Sequence, residues 1–112
     1  MFVHCPFFAT ITYVGDEVEK NIYHGGSIFL FNIYQQSGDI EYEGFKTLAL
    51  KKTTLIRKEP LKEYFYGIKE LELKEGIYKF EAIANFSLDS EYVLETRVDI
   101  PVSKFHEVKY NY

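Results

Sequence analysis

A chain of 112 residues is long enough for one domain with a real core and too short for two of ordinary size. Apolar residues make up 46% of it and the formal net charge is −4, which excludes a disordered chain and disfavours a dedicated nucleic-acid binder. A lone cysteine, Cys5, excludes an internal disulfide and favours a reducing, cytoplasmic setting over secretion.

Ten Tyr and ten Phe, with many Ile, Val and Thr, favour strands over helices. Residues Met1 to Ala9 lack the basic start of a secretory signal. No apolar run approaches the 18 or so residues that span a membrane. Phe7 to Tyr13 alternates Phe7, Ala9, Ile11 and Tyr13 against Phe8, Thr10 and Thr12, a strand with period two. Gly15-Asp16-Glu17 reads as a turn. Val18 to Tyr23 reads as a short edge strand, with Glu19 and Lys20 guarding the edge. Ser27 to Tyr34 is apolar on both faces, as a central strand should be. Ile40 to Lys52 reads as one or two strands broken near Gly44. Thr53 to Ile56 is strand-like, and Arg57 to Pro60 reads as a loop because the residue before proline prefers extended geometry.

Leu61 to Leu73 reads as a strand kinked at Gly67. Its inner phase holds Phe65, Gly67, Lys69, Leu71 and Leu73; its outer phase holds Tyr64, Tyr66 and Ile68. Ile77 to Phe86 follows, with Tyr78, Phe80, Ala82, Ala84 and Phe86 on one face. Ser87 to Ser90 is a turn, Tyr92 to Ile100 a half-buried strand that Pro101 ends or bends, and Phe105 to Tyr110 a last edge strand. No segment of ten residues keeps a helical period. The expectation is one all-β domain over residues 1–112, an antiparallel sandwich of seven or eight strands without a disulfide.

The stretch Leu71-Glu-Leu73-Lys-Glu-Gly76-Ile-Tyr78-Lys-Phe80 resembles the tyrosine corner of immunoglobulin-like sandwiches. Phe80 stands where the disulfide-bearing members have cysteine, and the chain has no Trp. The resemblance is therefore to disulfide-free branches such as fibronectin type III domains. The leucine-rich strand with Gly-x-Tyr is also similar to small bacterial intracellular proteinase inhibitors of sandwich fold. What these resemblances imply is binding through loops or sheet faces rather than catalysis.

His4, Cys5, His24 and His106 are the only soft metal ligands, and none stand at zinc-site spacing. No phosphate-binding glycine loop and no nucleophile elbow is present. The expectation is no enzyme, no metal and no cofactor. Asn85-Phe-Ser87 matches a glycosylation sequon but reads as a strand entering a turn. Charge is uneven. Residues 46–62 hold Lys46, Lys51, Lys52, Arg57, Lys58 and Lys62 against Glu59 alone, inside an otherwise acidic chain.

The expected function is a non-catalytic binding or protein–protein interaction module. Its site would be the outward strip of Tyr64, Tyr66 and Ile68, bordered by Lys51, Lys52 and Lys62. Another protein is the expected partner. A carbohydrate stacked on exposed tyrosines is the alternative, and a proteinase inhibitor presenting a loop between Thr53 and Leu61 is a further one.

Overall fold

The computed structural model describes residues 2–3, 7–47, 49–65 and 71–111. Tyr66, Gly67, Ile68, Lys69, His4 and Cys5 lie outside the described residues.

Among the described residues ten strands follow one another: β1 (Phe2–Val3), β2 (Phe7–Ile11), β3 (Glu19–His24), β4 (Phe29–Gln35), β5 (Ile40–Glu43), β6 (Lys51–Ile56), β7 (Leu61–Phe65), β8 (Gly76–Ser87), β9 (Arg97–Val108) and β10 (Tyr110–Asn111). The fold is all-β, and every pairing between these strands is antiparallel. Among the described residues no helix is long and apolar enough to cross a membrane.

The main sheet runs β5-β4-β8-β3-β6, with β9 along the other edge of β8. β8 organises it. Its period-two face of Tyr78, Phe80, Ala82, Ala84 and Phe86 is buried at every position. β9 lies beside it over its full length, from Gly76↔Val108 to Ser87↔Arg97. β4 presents Phe29, Phe31 and Ile33 to the same side, all buried. A two-stranded ribbon, β2 with β7, packs over that side and makes the second layer of a sandwich. Phe7 reaches Phe31 at 5.1 Å and Phe80 at 4.8 Å between ring centroids, and Phe65 reaches Phe31 at 5.4 Å.

The Tyr78 hydroxyl donates to the Lys74 carbonyl at 2.8 Å, the bond that the corner pattern predicts. Leu73 is buried and Leu71 packs against the same cluster.

Three elements differ from their sequence expectation. β7 is described from Leu61 to Phe65, and the chain approaching Leu73 is not in strand geometry: Leu71 lies in a 3₁₀ turn and residues 72–74 are irregular. The positive φ of Glu72, 50°, takes the backbone out of strand geometry there. β3 is no edge strand, since it pairs with β6 throughout and meets β8 at Tyr23↔Ser87. Its charges need only one solvent face, and the edge falls to β6 with Lys51 and Lys52. Finally, residues 89–96 form a turn, and the strand begins at Arg97. Thr96 Oγ1 accepts from the Leu88 and Asp89 amides and donates to the Tyr92 carbonyl, and the Asp89 carboxylate accepts from the Glu91 amide. Those local bonds outcompete a ladder. β9 then runs straight through Pro101, because it borders the sheet and a missing N–H costs nothing on an open side.

Candidate functional site

The ribbon has two faces. Phe7, Ala9, Ile11 and Phe65 turn inward, so their neighbours Phe8, Lys62 and Tyr64 turn out. Phe8 and Tyr64 are directly opposed across the ladder, with ring centroids 5.7 Å apart. They stay 44% and 43% exposed, half-open rather than covered. Lys62 stands next along β7. Its Nζ lies 4.5 Å from the Phe8 ring centroid and 5.8 Å from that of Tyr64, within cation–π range of both. The result is a small amphipathic face: two rings fixed by a ladder, under one ammonium group.

Of the expected site, Tyr64 and Lys62 come together here. Tyr66 and Ile68 lie outside the described residues. Lys51 and Lys52 do not join the face. They sit on β6, opposite His24 and Tyr23 in the main sheet. Lys52 is four strand residues before Ile56, about 13 Å from the turn into β7. Phe8 is the member that sequence reasoning left out. Alternation placed it opposite Phe7, but nothing local reveals that β2 pairs with a strand more than fifty residues away.

The basic stretch is dispersed further by Lys46, which points inward. Its Nζ donates to the carbonyls of Ser27, Ile28 and Asn85. Burial lowers its pKa, and the Glu63 and Asp99 carboxylates oppose that fall. Glu63 faces inward beside Ala9, whose small side chain leaves it room. Its two oxygens accept from the Ile28 and Phe29 amides at 3.0 and 2.8 Å. One cation and one carboxylate thus hold the entry to β4 from either side.

The other polar groups are similarly engaged. Buried His24 bonds the Gly25 carbonyl through Nδ1 and Thr53 Oγ1 through Nε2. His106 pairs with Tyr78 on β8, and Tyr23, beside His24, pairs with Ser87. Continued by one residue, that antiparallel register sets His24 across from Phe86, so eight strand residues, about 26 Å along β8, separate the two histidines. On the opposite face of the main sheet, Glu81 accepts from Asn32 Nδ2 and from the Tyr34 hydroxyl. Partial burial, then the charge and hydrogen bond of Glu81, raise the Tyr34 pKa. Asn85 of the sequon is bonded to Asp99, and Ser87 is buried against the Val93 carbonyl. Among the described residues no three His, Cys, Asp or Glu side chains gather as metal ligands.

A groove of about 370 Å³ opens beside the ribbon, between β2 and the inner face of β9. Phe80, Ala82 and Val102 form its floor, and Lys104 and His106 stand along one wall.

No family model matches this chain, and neither does any curated protein or solved structure.

Proposed function

We propose that this chain is a non-catalytic, immunoglobulin-like binding module that captures another protein through the outer face of its β2–β7 ribbon. The observation that carries the reading is the half-exposed Phe8–Tyr64 pair under Lys62. Rings held by a ladder lose little entropy on contact, and an aromatic pair beside a cation suits a protein interface. The tyrosine corner at Tyr78 supports the immunoglobulin likeness.

A sugar ring would need the aromatic faces that Lys62 occupies, which counts against the carbohydrate alternative. The inhibitor alternative needs a protruding loop. Residues 53–56 belong instead to β6, and the turn after them is tied down, with the Lys58 amide donating to the Tyr13 carbonyl and the Glu59 amide to the Ile56 carbonyl. The non-catalytic reading rests on how the polar groups are used: His24, Glu63 and Glu81 hold backbone or side chains in place.

The test is affinity capture from the source cell with the full chain as bait, quantified by mass spectrometry. A folded Phe8→Ala/Tyr64→Ala variant should lose the partners of the wild type. Capture of the same partners by that variant would refute the reading.

A further inference from the structure

The groove between β2 and β9 has the features of an unfinished strand position. β1 pairs with β10 in the register Phe2↔Asn111 and Val3↔Tyr110. Counted inward in that register, Phe7 opposes His106, Ala9 opposes Lys104 and Ile11 opposes Val102. These strands do not pair there; β2 gives its ladder to β7, and β9 gives its own to β8. Two antiparallel strands pinned together at one end thus diverge, and among the described residues neither has a ladder partner on the side facing the other.

What lies exposed between them belongs inside a sandwich. Val102 and Ile100 share a face with Ala82 and Ala84, which are buried, yet they remain 53% and 47% exposed. The walls carry one charge. Lys104 stands on the groove, forms no ion pair among the described residues, and no carboxylate lines it.

We propose that this seam accepts an extended peptide segment of a partner protein, one that carries an apolar and an acidic side chain two residues apart on one face and adds as a strand between β2 and β9. Main-chain groups on the open sides of both strands supply the ladder, as in other strand-addition complexes. An apolar side chain of the segment covers Val102 beside the Phe80–Ala82 floor. Two residues further along the same face, a carboxylate meets Lys104. Pro101 offers no N–H, so the β9 side of the ladder is limited to residues 102–106, about 16 Å of strand. Phe8 is the only side chain this site shares with the ribbon face, and the proposal stands whether or not that face binds a partner.

The test uses the ¹⁵N-labelled full chain and four probes: a capped five-residue threonine peptide with valine at its second and glutamate at its fourth position, its counterpart with lysine in place of glutamate, the glutamate peptide N-methylated at alternate residues, and sodium decanoate. The glutamate peptide should shift amides 7–10 and 102–106 selectively. The lysine and N-methylated peptides should bind at least tenfold more weakly. Lys104→Glu should weaken the glutamate peptide at least tenfold, and Lys104→Gln should fall between it and the wild type. Tyr64→Ala should bind the glutamate peptide as the wild type does. No shift at these amides, or equal affinity for the N-methylated peptide, would overturn the proposal. Decanoate binding as tightly as the peptide would overturn it too, in favour of a small amphipathic acid. Loss of peptide binding in Tyr64→Ala would place the peptide on the ribbon face, overturning the seam while sparing the ribbon reading.

Discussion

Tyr78 ties the start of β8 to the turn before it, and its ring fills the core cluster of Ile33, Leu73, Phe80 and Val108. Tyr78→Phe keeps the ring and removes the hydroxyl. It should cost on the order of 1 kcal/mol or more in chemical denaturation, because the Lys74 carbonyl loses a donor. Wild-type stability in that variant would discard the corner. Lys46 gives a pH test. Its pKa is lowered on folding, so between its folded and unfolded values the unfolded chain binds more protons. Stability from this group therefore rises as pH climbs through its lowered folded value toward the ordinary lysine value. Measured against Lys46→Met, the wild type should gain stability over that range; a constant difference would contradict the buried ammonium. These two residues were unequally legible. The Gly-x-Tyr spacing announced Tyr78, whereas Lys46 looked like one more surface lysine, because what turns it inward is three carbonyls from β4's entry and β8.

At the scale of elements, the strands are organised by one unbroken alternation, that of β8. Phe80 is almost wholly enclosed by β4, β9 and Phe7 of the ribbon. Phe80→Ala and Phe31→Ala should each cost roughly 3–5 kcal/mol through the cavities they leave. An unmoved melting midpoint in either would mean that the layers pack differently. Elements defined by side-chain pattern were legible: β2 and β8 lie where alternation placed them, and β4 where a run apolar on both faces did. Elements decided by competition were not. Tyr92 to Thr96 alternates like a strand, but Thr96 and Asp89 satisfy the local amides and hold a turn. The pairing of β2 with β7 is a long-range choice with no local mark, so the ribbon face could be only half assembled from sequence. Tyr64 and Lys62 could be placed outward; Phe8 could not be placed beside them.

The whole molecule is elongated, 49 × 26 × 21 Å, with a radius of gyration of 15.8 Å. A compact chain of this length would have a radius of about 13 Å. The length follows from β8 and β9, twelve residues each, and from β3, with β6 beyond it, meeting β8 only at its far end. Two hydrophobic clusters result, and Phe7 and Phe65 pack against both. The ribbon is thus the clasp of the core as well as the carrier of the proposed binding face. Phe7→Ala should cost about 3 kcal/mol and part the unfolding transitions seen by probes in the two clusters. A single coincident transition would show that the clusters are joined elsewhere. The half-exposed outer rings should behave differently from Phe7. Phe8→Ala with Tyr64→Ala should leave the fold intact, at a cost of about 1–2 kcal/mol.

Amide hydrogen exchange of the full chain, alone and bound to a partner captured by it, tests the binding face most directly. Protection should appear over residues 7–11 and 61–65 and leave Lys51 and Lys52 of β6 unchanged. Protection along β6 or β5, with none on the ribbon, would contradict the account.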